Sequence, residues 1–323
     1  MKIAKPTASI FILAMSALFN SAMAGDVQKE TRVGLKNHEP NLVGYTYDND
    51  DKEPFMDFKL SLEYPLANGP LSKMTKQSWY PGFLKKTCNN NVINHCYPYF
   101  SFTGRFGQYI GQRDSSPVIA KRFNPKIFLR FDIKGADYVD LEYAHESNGQ
   151  RVSTLSSYNT LAADLDKPEH ANDYISRGWD YYGFTYKHTF SKKSEDKDQD
   201  INKVVAYFKM RKFIGGQLQG DIEEYYDWEP RRNITAREQV GGVSLLTKVE
   251  NNRTPVFWAF NKVALIYETG TTSPAKYNTL ILEMTTNAFG VPFMIWGRTG
   301  YNSDLAQYYK KVDSIGVAFE LKT

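Results

Sequence analysis

The chain has 323 residues, 24% of them charged, and a formal net charge of +4. That length suits one barrel-sized domain or two small ones, and no shift in composition marks a seam, so a single domain is expected. The charge is small and mixed in sign, with no basic helix and no recognisable nucleic-acid module, which excludes a nucleic-acid partner.

The first residues read as an export signal: Lys2 and Lys5, an apolar run from Ile10 to Phe19, then Ala22-Met23-Ala24 as a small-x-small cleavage site. Residues 1–24 are therefore set apart from a mature domain of residues 25–323. Beyond them no run of about 18 apolar residues occurs, so no transmembrane helix is expected. The mean hydropathy of -0.51 does not exclude a membrane barrel, because a polar lumen face alternates with the lipid face and averages it away. Aromatics make up 15% of the chain, with 22 Tyr, 20 Phe and 5 Trp, which suits the interfacial girdles of such a barrel. A Tyr-rich soluble sandwich is the competing reading.

From Met56 to Leu66 the apolar Met56, Phe58, Leu60, Leu62 and Tyr64 alternate with Asp57, Lys59, Ser61 and Glu63, the period-two pattern of a two-faced strand. Strands are predicted likewise at Phe123–Lys134, Tyr138–Asn148, Tyr174–Phe190, Ile201–Ile214, Arg237–Lys248, Thr254–Ile266, Lys276–Thr286, Val291–Tyr301 and Asp313–Leu321, with weaker patterns at Asn41–Tyr47 and Leu71–Tyr80. Most are longer than soluble strands and suit tilted bilayer crossings. Turns such as Asn68-Gly69-Pro70 and Gly135-Ala136 are expected at one end, and long loops near Trp79–Arg122 and Gly149–Asp173 at the other. The expected fold is thus all-β, an antiparallel transmembrane barrel of nearly a dozen strands. Ser191–Asp200 reads as a solvated turn, and Asn233-Ile234-Thr235 as a plain loop.

Cys88 and Cys96 are the only cysteines. In an exported chain they predict a disulfide closing an exposed loop. A metal site that adds His95 is the alternative, disfavoured by its ligand count.

The chemistry concentrates in Val139–Gly149. Strand residues two apart share a face, so His145 and Ser147 project side by side with Val139, Leu141 and Tyr143, while Asp140, Glu142 and Glu146 face the other way. A hydroxyl and an imidazole are poorly placed against hydrocarbon unless they bond each other or meet a polar substrate at headgroup level. A bare strand end followed by an Asn-Gly turn is the plainer alternative.

His145-Glu146-Ser147-Asn148-Gly149 resembles the catalytic strand end of the bacterial outer-membrane phospholipase A family. The likeness continues in Asp57–Leu66, Gln77-Ser78-Trp79, Ser115-Ser116-Pro117, Asn124-Pro125, Ser176–Asp180 and Ser314–Leu321, and covers most of the mature chain. It implies a twelve-stranded barrel that cleaves acyl esters of phospholipids and lysophospholipids in the outer membrane, needs calcium, and works as a homodimer. Ser147 then corresponds to the nucleophile and His145 to its base. Asp180 stands where the family commonly has asparagine, in the role of orienting the imidazole. Asn159 is the rival for that role, but Pro168 interrupts the strand it would begin. The resemblance gives calcium the hydroxyl of Ser176, the backbone carbonyl of Gln150, and Ser115 reaching across from the partner subunit, and gives the N–H of Gly149 to the oxyanion. Asp221 corresponds loosely to a ligand of a monomeric form, against the plainer reading of a loop carboxylate. The chain departs from the family at Gln150 (usually arginine), at Lys76 (about where a glutamine is usual), and in ending Leu321-Lys322-Thr323 rather than on an aromatic. Competing functions are a passive pore and an outer-membrane protease; the protease would need paired carboxylates that this pair of residues does not supply.

Overall fold

A computed structural model describes residues 35–49, 52–66, 93–133, 137–193, 200–214, 243–253, 260–271, 276–288, 290–308 and 310–321. Its strands are β1 (Lys36–Asn37), β2 (Asn41–Asp48), β3 (Pro54–Pro65), β4 (Ile93–Gln108), β5 (Val118–Ile133), β6 (Asp137–Ser147), β7 (Gly178–Lys193), β8 (Asp200–Ile214), β9 (Val243–Arg253), β10 (Lys262–Gly270), β11 (Thr279–Ala288), β12 (Val291–Gly300) and β13 (Val312–Leu321). Each pairs antiparallel with its neighbours in sequence from β2 onward, β13 pairs with β2, and the ring closes. The two-residue β1 lies on the same edge of β3 as β2, in line with it. Twelve strands therefore go round the barrel, and closure leaves no edge of unpaired backbone to face lipid. No helix among the described residues is long and apolar enough to cross a membrane.

The alternation read from the sequence sets inside against outside. Leu60, Leu141, Tyr182, Leu265, Ile315, Val317 and Phe319 are exposed on the outer wall, whereas Ser61, Asp140, Glu142, Lys126 and Arg211 are buried in the lumen. Lumen charges are paired in tiers. Arg105 forks onto Asp57 with bonds of 2.9 and 2.5 Å, and Arg130 onto Asp140 at 2.9 and 2.8 Å. Glu142 lies 2.8 Å from the Lys209 ammonium and 3.8 Å from that of Lys126, and Arg211 pairs with Glu268. Opposite Glu142 in the register stands Gly183, where a Cβ would overlap the carboxyl. These side chains leave an internal cavity of about 580 Å³.

At the end that carries the 148–177 connection, the segment after β12 folds into the mouth. Leu305 and Tyr308 pack on Ala144, Trp179, Tyr181 and Phe213. Asp173 accepts from Gln307 at 2.6 Å and pairs with Arg113 at 2.7 Å, and Arg113 also reaches Glu53 at 2.9 Å. Four connections are thereby tied together. Burial alone would raise the Asp173 carboxyl, but Lys121 and Arg113 hold it below its ordinary range.

Several expectations need correction. The segment Trp79–Arg122 is not one loop: β4 and the start of β5 lie inside it. Its alternation is masked because Tyr97 and Tyr99 on the lumen face are as bulky as Phe100 and Phe102 outside, and because Pro98, Gly104 and Gly107 resemble turn signals. Cys96 is disulfide-bonded, and Cys88 is the only other cysteine, but Cys96 is a fully buried strand residue against Phe131 rather than part of an exposed loop. The long β3–β4 connection opens at the same end as the 134–136 turn, so that end does not carry short turns alone. β9 and β10 run on further than expected, to Arg253 and Gly270, and in β9 the polar residues read as turn, such as Glu250, face the lumen beside Lys248. The long loop before β7 holds a helix, α1 (Leu155–Asp164), capped by Thr154, and a 3-10 turn, Pro168–Tyr174. The signal segment, Leu71–Tyr80, Lys76, Cys88, Asp221 and Asn233–Thr235 lie outside the described residues.

Replacing Glu142 by Leu strands two lumen ammoniums and is expected to lower barrel stability by about 3 kcal/mol, read from urea titrations in vesicles. A loss below about 0.5 kcal/mol, the scale of an exposed pair, would mean the tiers contribute little.

Candidate active site

On β6 the outward residues are those that share a face with Leu141, and they end in His145 and Ser147. His145 stands opposite Asp180 in the β6–β7 ladder, and Ser147 opposite Gly178. The imidazole Nδ1 lies 3.0 Å from Asp180 Oδ1. The ring is 39% exposed on the outer wall, while the carboxylate behind it is only 7% exposed. The Tyr143 phenol hydrogen-bonds the same carboxylate. A carboxylate at Nδ1 favours the tautomer that carries its proton there and puts the ring's basic lone pair on Nε2. Ser147 is half-buried one ladder step further toward the mouth. Asn159 lies exposed on α1, outside this ladder.

The strand end is held from within. Between the two outward residues Glu146 points into the lumen, where it accepts from Trp179 Nε1 at 2.9 Å and pairs with Arg122 at 3.3 Å. Trp179 in turn packs edge-on against Tyr308 of the mouth segment. Gly149 then turns the chain with φ +61°, a conformation that favours glycine, and a Cβ there would stand 3.0 Å from the Phe123 ring.

Asn148, part of the strand-end motif or of a plain Asn-Gly turn by sequence, is fully buried. Its Nδ2 donates to Ile175 O at 2.8 Å, and its Oδ1 accepts from the amides of Arg177 (3.0 Å) and Gln150 (3.3 Å). One side chain thus draws together the two segments that carry Gln150 and Ser176. Ser176 spends its amide on Val152 O and its carbonyl on Arg177, leaving its hydroxyl uncommitted among the described residues. Ser115 is exposed in a separate connection, with φ +62°. These are neutral, hard oxygen donors of the kind calcium accepts, and the set fits that ion in donor chemistry. No cluster of three or more His, Cys, Asp or Glu suited to a metal occurs among the described residues.

No family model matches the chain. Phospholipase A1 of Escherichia coli (strain K12) is 26% identical over 198 residues, covering 58% of this chain and 57% of that protein. The enzyme of that name from Salmonella typhimurium is 25% identical over 194 residues, covering 57% and 56%, and that from Klebsiella pneumoniae 25% over 218 residues, covering 60% and 65%. The chain thus spans less than two thirds of the length of each. Among solved structures, an active-site mutant of outer membrane phospholipase A from Escherichia coli superposes with a TM-score of 0.55 at 16% identity, over 94% of this chain and 96% of that one. A Salmonella typhi outer membrane phospholipase dimer with bound calcium gives 0.54 at 16%, over 91% and 95%. The relatives are named phospholipase A1, and the solved outer membrane phospholipases share the barrel fold. The resemblance read from the sequence and the barrel built by the fold therefore agree.

Asn148→Ala removes three side-chain hydrogen bonds from this corner. The amides of Gln150 and Arg177 are expected to exchange with solvent about tenfold faster or more, as measured by hydrogen–deuterium exchange. Unchanged exchange would show that the segments are held by other contacts.

Proposed function

We propose that the chain is a calcium-dependent outer-membrane phospholipase, with A1, A2 and lysophospholipase activity, that hydrolyses acyl esters at the lipid-facing wall of the barrel. The observation that carries the reading is the His145–Asp180 contact of 3.0 Å on the outer wall, one ladder step from Ser147. A polar pair of this kind faces lipid at a cost unless polar substrate groups, such as the esters of a phospholipid, reach it.

Ser147 Oγ attacks the ester carbonyl carbon while His145 Nε2 takes its proton. Asp180 holds the ring and stabilises the imidazolium that forms. As the tetrahedral intermediate collapses, the imidazolium gives the proton to the departing glycerol oxygen, leaving an acyl-serine. Water, deprotonated by His145, then releases the fatty acid. The N–H of Gly149 lies beyond the nucleophile in the chain and is the proposed backbone donor to the oxyanion. Ser176 and the Gln150 carbonyl, with Ser115 of a second subunit, would hold calcium, which supplies positive charge for the carbonyl oxygen when bound. A homodimer follows from that shared set. Paired charges across the lumen weigh against the passive pore.

Fatty-acid release from phospholipid in detergent, with calcium or with chelator, tests the reading. Release is expected to depend on calcium and to fall by about 10³-fold or more in Ser147→Ala. Asp180→Asn keeps an acceptor for Nδ1–H and is expected to remain within about tenfold of the parent, whereas Asp180→Ala loses about 10²-fold. No release from any phospholipid would overturn the proposal, and full activity in a strictly monomeric preparation would overturn the shared metal.

A further inference from the structure

The β5–β6 ladder is continuous from Ile133↔Asp137 to Lys126↔Ala144 and resumes at Phe123↔Ser147 in the same register. The two missing pairs would join Asn124 to Glu146 and Pro125 to His145. In this register the N–H of residue 125 would donate to the His145 carbonyl, and proline has no N–H. Both missing pairs depend on that one bond, and the wide pair Lys126↔Ala144 does not. On its other side β5 stays paired with β4 through Asn124↔Thr103 and Pro125↔Phe102. The strand itself is therefore intact, and the gap is local to the base of the proposed site.

The gap is filled by a side chain. Asn124 Nδ2 donates to the His145 carbonyl at 2.8 Å, and Asn124 Oδ1 accepts from the Tyr181 hydroxyl at 3.2 Å. Asn124 and Tyr181 are both buried. Because the His145 carbonyl can only accept, it fixes the amide with Nδ2 toward it, and the Tyr181 hydroxyl, which can donate, meets the oxygen at the other end.

We infer that Asn124 is a positioning residue for His145: its amide stands in for the backbone donor that Pro125 lacks, and so fixes the main chain from which the imidazole reaches Asp180 and Ser147. The inference rests on the proposed hydrolase reading. An asparagine is suited to the task because it offers a donor to the carbonyl and an acceptor to Tyr181 at once. Without it the His145 carbonyl is left without a strand partner, and the strand end can drift relative to Asp180 on β7.

The test uses the full barrel in detergent and follows kcat and KM for phospholipid hydrolysis. In Asn124→Ala, kcat is expected to fall roughly ten- to a hundredfold with KM within about twofold. Adding Pro125→Ala to that variant returns a backbone N–H at the vacated place and is expected to recover most of kcat. A purely steric or structural role for Asn124 would not be rescued by a second substitution that removes still more side chain. If Asn124→Ala retains the parental kcat, or if the double variant folds and stays as slow as the single one, the inference is overturned. Should Asn124→Ala fail to form a barrel, the double variant decides alone, near-parental kcat upholding the inference and a slow folded barrel refuting it. A parent chain that hydrolyses no phospholipid defeats the functional reading instead. The inference is then read from the His145 amide, whose exchange with solvent must rise in Asn124→Ala and return in the double variant.

Discussion

In hydrocarbon no water is present to satisfy a backbone N–H or C=O, so a chain that crosses with strands must pair every one of them within itself. The pairing of β3 with β4 and of β13 with β2 completes that requirement. Side chains are then divided by parity alone, with apolar residues sent outward and charged ones into a lumen where Glu142, Lys209, Arg211 and Glu268 must find one another. The constraint also explains Asn124. Where Pro125 deprives the ladder of a donor, a side chain has to supply it, and the place where this happens is the strand carrying His145.

Ladder closure gives the site its precision. His145 and Asp180 are opposed because β6 and β7 share a register that the tiers below them hold, from Tyr138↔Lys187 upward. From the lumen side Glu146, Trp179 and Tyr308 lock the same strand ends, so the outward pair stands on anchored strands rather than on a loop. The segments that carry Gln150 and Ser176 are held more locally, by the Asn148 side chain.

Much of this was legible in the sequence. The period of two in Asp57–Leu66 and in Val139–Ser147 identified both faces correctly, because each strand has charged lumen residues against apolar outer ones. β4 was hidden because Tyr97 and Tyr99 put aromatics on the lumen face and Pro98 and Gly104 mimic a turn. α1 was hidden inside a polar stretch whose residues bury none of their number, so it has no apolar stripe to betray it. His145, Ser147 and Asp180 could be singled out from spacing and resemblance. Asn148 and Asn124 could not, since their roles depend on bonds to backbone atoms 27 and 21 residues away. Pro125 was the one available signal, a proline within a strand pattern that asks what replaces its missing donor.

The central claim is that Ser147 is an activated nucleophile on the lipid-facing wall. It is tested most directly by treating the folded protein in phospholipid vesicles with a long-chain sulfonyl fluoride and identifying the modified residue by mass spectrometry. The account predicts modification at Ser147, sharply slowed in His145→Ala with the barrel still folded. Absence of label at Ser147, or labelling indifferent to His145, would contradict it.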